Sequence, residues 1–193
     1  LGPNADTASP YWGANFWQDW QKPASIEYFD KDKNRIFSTN AEIEIYGNYS
    51  RYKPQKSFEI KLSDRFGTGE LIYPFLHDKP FITEYDRFVL RNAGTDWNVV
   101  HFRDGLMQRL MKNTYSGYVG SEPVVMFLNG AFWGVYQFNE KHNQNWIKSN
   151  FGFEEDEINY IEQIGPSIVV NEGSDDSFVE LYNYATTASP TSA

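Results

Sequence analysis

EIYGNYSRYKPQKSFEIKL, from Glu44 to Leu62, joins two alternating stretches through a turn and decides the fold. In its second half Lys56, Phe58, Ile60 and Leu62 share one face while Ser57, Glu59 and Lys61 share the other. The apolar members make the first face the inward one. Lys56, at its start, then either snorkels out at the strand end or meets an anion inside. AEIEIYG, just upstream, alternates as cleanly, with Ala41, Ile43 and Ile45 inward and Glu42 and Glu44 outward.

Outward from this stretch, SIEYFD is a short strand, followed by the turn DKDKNR and the pair Ile36–Phe37. A loop bearing Gly67, Gly69 and Pro74 leads through PFITEYD to the strand RFVLR. VVHFRDGLMQRLMKN has helical spacing, and PVVMFLNGAFWGVYQF reads as a hairpin turning at Asn129-Gly130. A helix around NQNWIKSNF, a strand-like INYIEQI and a last helix in GSDDSFVELYNYATT, with Ser174 as its cap, complete the chain. No internal repeat is present. The fold class is α+β: a mainly antiparallel sheet of about five or six strands with one helix inserted before the closing hairpin. A Trp-rich lead-in spans 1–24, the domain proper 25–185 and a frayed tail 186–193. Trp12, Phe16, Trp17 and Trp20 of the lead-in either strap onto the core or form a ligand platform.

The 193 residues suffice for one domain, burying about 70% of its unfolded surface, or for a piece of a larger one. Hydrophobic residues make up 40% and aromatics 18%, which marks a globular chain. A net charge of -9 argues against nonspecific binding to nucleic acid or to an anionic membrane surface. No apolar run approaches the roughly 20 residues of a membrane span. The absence of cysteine excludes disulfides and thiolate chemistry. The chain opens on Leu1 without a signal peptide and reads as an excised or processed segment.

DKDKN imitates the start of an EF-hand loop, but Arg35 replaces the required glycine and Ala41 the bidentate acid, so a hairpin turn is the better reading. His77, His101 and His142 are scattered without ligand spacing, and Glu154–Glu157 reads as a solvated flank. Asn48-Tyr49-Ser50 matches a glycosylation sequon, a triplet common by chance. The first helix is more telling. At 100° per residue, Val99, Leu106, Met107 and Leu110 fall within about 60° of Arg103, which places Arg103 on the apolar face. Two readings of Lys56 and Arg103 stand side by side. One is a pair of internal salt bridges with Asp96, Asp104 or Glu140. The other is a lysine–acid pair that positions a phosphate, as in kinases.

YGNYSRYKPQKSFEI, YPFLHDKPFITEYDRFVLRNAGTDWNVVHFRDGLMQRLM, FLNGAFWGVYQFNEK and WIKSNFG together resemble the spore coat protein H (CotH) kinase-like family, over roughly Ile26 to Tyr184. The resemblance implies the small lobe of an atypical protein kinase plus hinge. It also implies ATP with Mg²⁺ as cofactors and phosphorylation of secreted or coat proteins outside the cell or at the bacterial surface. Gly47, Asn48, Ser50 and Arg51 match the family's turn before the lysine, Lys56 the lysine, Arg91 and Asn92 an RN pair, and Arg103 and Asp104 an RD pair. Asn129, Gly130, Gly134, Tyr136 and Glu140 match the hairpin and the glutamate after it. Gln137–Glu140 would be the hinge offering backbone groups to adenine, with Lys141 approaching the nucleotide. Lys56 would meet the phosphates and turn to Asp104 or Glu140 when the site is empty. Tyr46 stands where family members often carry arginine or histidine.

The family's DWP-x-x-N stretch and later aspartate are not found before Ala193; only Glu154–Glu157, Glu162, Glu172, Asp175, Asp176 and Glu180 follow the hinge. The expectation is a small lobe and hinge without catalytic or metal-binding acids of its own. A rival reading of another class is a carbohydrate-binding or surface-adhesion module, in which Trp12, Trp17, Trp20 or Trp133 stack on glycans.

Overall fold

The computed structural model describes residues 2–165 and 167–187. It divides into two compact units, Leu1–Lys141 and His142–Ala193. In the first unit the strands are β1 (Lys22–Phe29), β2 (Arg35–Tyr46), β3 (Ser57–Lys61), β4 (Leu71–Ile72), β5 (Glu84–Tyr85), β6 (Arg87–Arg91), β7 (Ser121–Leu128) and β8 (Ala131–Glu140). Helix α1 (Arg103–Leu110) lies between β6 and β7. Six strands form one sheet in the order β1-β2-β3-β6-β8-β7, antiparallel throughout, while β4 and β5 pair as a small ribbon.

Turn chemistry sets the hairpins. Between β1 and β2 the Asp30 carboxylate accepts from the amides of Asp32 and Asn34, which closes the DKDKN turn. Between β7 and β8, Asn129 and Gly130 have φ of 49° and 78°, the pair of positive angles that a tight twisted hairpin needs.

One cross-strand row runs Ile43, Ile60, Phe88, Glu140, and the next runs Ile45, Phe58, Leu90, Phe138. These rows share the face on which the core forms. The 71–85 segment covers it: Phe75 stacks on Phe138 at 4.6 Å, Phe88 stacks on Phe138 at 4.8 Å, and Leu76 and Ile82 are buried beside them. The opposite face is polar, yet Ser57, Glu59, Ser121, Gln137 and Asn139 on it are also buried. Helix α1 approaches this face closely through Gly105, where a Cβ would lie 3.0 Å from Ser121 Oγ.

That docking corrects the expectation drawn from helical spacing. Gly105 lies about 200° around the helix from Arg103, so the side carrying Leu106, Met107 and Leu110 faces outward, and Leu110 is 66% exposed. The Arg103 side chain is 54% exposed and pairs with Asp96 at 2.7 Å. Small size at Gly105 decided the packing face, against the apolar stripe.

In the second unit, α2 (Gln144–Phe151) starts with the Asn143 side chain accepting from the Trp146 amide and ends at Gly152 in the left-handed region. Strands β9 (Tyr160–Ile164) and β10 (Ser167–Glu172) pair antiparallel, and α3 (Asp176–Thr187) follows. The Ser174 hydroxyl accepts from the Asp176 amide at the start of α3. Of the tail expected over 186–193, residues 188–193 lie outside the described residues. No helix among the described residues is long and apolar enough to cross a membrane.

A buried ion pair ties the first unit together. Lys79 Nζ lies 2.7 Å from Glu140 Oε2, with the side chains only 1% and 5% exposed. Lys79 also donates to the carbonyl of Tyr118, and the Gly120 amide donates to the same Glu140 oxygen at 2.6 Å. Burial holds the Lys79 ammonium below its ordinary pKa although Glu140 works in the other direction. One carboxylate thus joins the 71–85 segment, the entry to β7 and the end of β8. Lys79→Met, which takes the cation away from the buried Glu140 carboxylate, should cost about 3–5 kcal/mol in urea unfolding, and Lys79→Met/Glu140→Leu should recover most of that loss.

Candidate functional site

The Gly47–Lys56 turn is built around backbone carbonyls that point at cations. Gly47 has φ of +100°, and a Cβ there would sit 2.6 Å from Ser50 Oγ, so only glycine suits the position. Arg51 Nε donates to Gly47 O at 2.5 Å, and its NH1 pairs with Asp19 at 2.7 Å. Lys56 Nζ donates to Arg51 O and Lys53 O, both at 2.6 Å, and lies 3.9 Å from the centroid of the Phe16 ring. Among the described residues it makes no ion pair with a carboxylate. Burial lowers its pKa to about 8.

This is not the partnership expected for Lys56. Glu140 is engaged by Lys79, and Asp104 pairs with Arg91 at 3.2 Å. A half-buried ammonium is left with carbonyl dipoles and an aromatic face in place of an anion. Two of its three N–H donors are used by carbonyls, and the ring covers it.

Asn92 fastens the turn to the loop after β6. Its Oδ1 accepts from Ser57 Oγ at 2.7 Å and from the Gly94 amide at 2.9 Å, its Nδ2 donates to Gln55 O, and its own amide donates to Ser57 Oγ at 3.0 Å. The side chain is fully buried. Beyond it Trp97 lies under Lys53, 5.8 Å from ammonium to ring centroid. The turn is therefore next to the Asn92–Trp97 loop, from which Asp96 reaches Arg103.

On the polar face Glu59, 5% exposed, receives Lys141 at 3.2 Å and Arg87 at 3.6 Å. Burial depresses the Lys141 ammonium, but Tyr46 and Glu59 outweigh it and its pKa ends above the ordinary value. Tyr46, the departure from the family pattern, lends its ring to Lys141 at 4.4 Å. Gln137 lies beside Ser121 Oγ at 3.0 Å and across the ladder from Arg91.

The expected site residues thus fall into three groups. Gly47, Ser50, Arg51 and Lys56 share the turn; Arg91, Asp104 and Gln137 sit where β6, α1 and β8 meet; Glu140 and Lys141 mark the end of β8 on opposite faces. Arg103 stands apart, facing outward. Gln137–Glu140 does not offer free backbone to an adenine ring, because it pairs with β6 on one side and β7 on the other. Lys79, Glu59 and Arg87 were not singled out in the sequence. Lys79 lies in a loop without periodicity, while Glu59 and Arg87 occupy strand positions that alternation assigns to solvent.

The lead-in is strapped to the Gly47–Lys56 turn: Phe16 covers Lys56 and Asp19 pairs with Arg51, while Trp17 Nε1 holds the lead-in to itself by donating to Pro10 O and Tyr11 O, both at 3.1 Å. Trp12 packs on Trp17 at 4.3 Å, and Lys22 lies over Trp20. Among the described residues no group of three His, Asp or Glu side chains has the arrangement of a metal site.

Residues 43–190 match the family model described as CotH kinase protein. A search among curated proteins finds no match.

Two outcomes test the site's construction. Because the folded pKa of Lys56 lies below the unfolded value of 10.5, the folded state is penalised while both forms are charged and gains stability as pH rises from about 8 to 10.5. Urea unfolding at pH 7 and pH 10 should show this gain, and Lys56→Met should lessen it. Asn92→Ala leaves Gln55 O, the Ser57 hydroxyl proton and the Gly94 amide without the side-chain partner they have now, and should cost at least about 1–3 kcal/mol.

Proposed function

The chain belongs to the CotH kinase family, and on that premise we propose that its first unit is the nucleotide-binding small lobe of an atypical protein kinase. A kinase built on this lobe would use ATP with Mg²⁺ and act on secreted or coat proteins outside the cell or at the bacterial surface, while the lobe alone, without catalytic acids, would not transfer phosphate. The observation that carries this reading is Lys56. A half-buried ammonium that makes no ion pair among the described residues, set in a glycine turn beside Arg51, is suited to an anion.

In this reading Lys56 and Arg51 hold phosphate oxygens, with Gly47 and Ser50 shaping the turn so that the ligand approaches its backbone. Arg91, Asp104 and Gln137 fix α1 against the sheet, and Arg103 ties the helix to the Asn92–Trp97 loop through Asp96. Glu140 positions the end of β8 through Lys79, and Lys141 keeps a cation near the polar face. ATP would supply the transferable phosphoryl group, and Mg²⁺ would neutralise the charge that develops on it. The cationic turn fits the phosphates. A Mg²⁺ ion that keeps several waters and takes one or two carboxylates is compatible with it, and the described residues hold no all-protein cage for the ion.

Calorimetric titration of the chain with Mg-ATP tests this. Weak but saturable binding is expected of the small lobe alone, and Lys56→Ala should weaken it further, about ten- to a hundredfold, the loss of one charge-assisted hydrogen bond. Absence of binding, or binding indifferent to Lys56, would overturn the reading.

A further inference from the structure

We propose that the lead-in is an autoinhibitory strap: Phe16 and Asp19 occupy the two cations, Lys56 and Arg51, that an anionic ligand of the turn would take. The inference rests on the nucleotide-binding reading above and assigns a regulation to that site.

The contacts are specific. The lead-in turn Asn15–Trp17 packs on the turn Tyr49–Tyr52, which sets the Phe16 ring 3.9 Å from Lys56 Nζ. Asp19 Oδ1 reaches Arg51 NH1 at 2.7 Å. The ring covers an ammonium whose other donors are held by Arg51 O and Lys53 O, so a phosphate oxygen and Phe16 compete for one approach. The Asp19 carboxylate is the same kind of group as the ligand, an anion on Arg51, but carries less charge than a phosphate.

The strap is also built to leave. It is folded largely on itself: the Asp6 amide donates to Trp12 O, the Ala14 amide to Tyr11 O, and Gly13 passes so close to Asn4 O that a Cβ would stand in its way. Trp17 spends its indole N–H on Pro10 and Tyr11 within the same segment. Its polar ties to the sheet are peripheral. Asp19 is 83% exposed, and Gln21 reaches Glu44 on the surface. Exchange of Phe16 and Asp19 for a polyphosphate can therefore proceed as a swing of 2–20 about the residues before β1, leaving the strap's own contacts intact.

The test uses the full chain carrying Asp19→Asn or Phe16→Ala/Asp19→Asn, with thermal unfolding to verify that each variant is folded. Mg-ATP and inorganic tripolyphosphate are titrated calorimetrically into each. Removal of the competing groups should tighten binding of both ligands about tenfold or more in the double variant. Asp19→Asn alone should show a smaller gain, and Lys56→Ala added to the double variant should remove the part of the gain that exceeds it. Equal affinity in the unaltered chain and the double variant would overturn the strap and leave the nucleotide reading standing. Tightening for ATP but not for tripolyphosphate would also overturn it, since the strap would then cover a base and not the phosphates. If no form binds either ligand, the nucleotide reading falls and the strap falls with it.

Discussion

Everything distinctive about the candidate site hangs on the buried amide of Asn92. Its side chain saturates three groups from two segments, Ser57 and Gln55 at the start of β3 and Gly94 beyond β6. Asparagine alone puts a carbonyl acceptor and an NH2 donor on separate atoms of so short a stem: aspartate would repel the Gln55 carbonyl, and leucine would satisfy neither side. The Gly47–Lys56 turn keeps its shape because its downstream end cannot move independently of β6. Lys56 then follows, held among carbonyls that the turn presents.

The strands were legible because alternation is a local property. AEIEIYG and KSFEIKL paired as their patterns require, and Asn129-Gly130 closed its hairpin through two positive φ angles. Alternation failed for the outward face of β3. Ser57 and Glu59 are buried, since that face carries its own network of Asn92, Lys141 and Arg87. Polar residues that bury each other look the same in a sequence as polar residues in water. The first helix misled for a different reason. Its apolar stripe was real, but the close approach to Ser121 was open only to Gly105.

For the site, the glycine turn and the arginine and lysine within it could be read from residue type, and the family pattern named them. Their partners could not. Lys79 reaches Glu140 across 61 positions of chain and Phe16 reaches Lys56 across 40, and neither contact leaves a periodic trace. The lysine that carries the Glu140 pairing sits in an irregular loop, so the acid was assigned to the wrong cation.

The end of β8 has a consequence for how this sheet can assemble. Glu140 and Lys141 are neighbours in the chain, yet they serve opposite faces, the acid meeting Lys79 and the ammonium meeting Glu59. A slip of one residue would turn each side chain over. Depending on its direction, it would bring the Glu140 carboxylate toward Glu59 on one face or the Lys141 ammonium toward Lys79 on the other. Misaligned pairings of this strand are thus opposed by like charge on whichever face receives them.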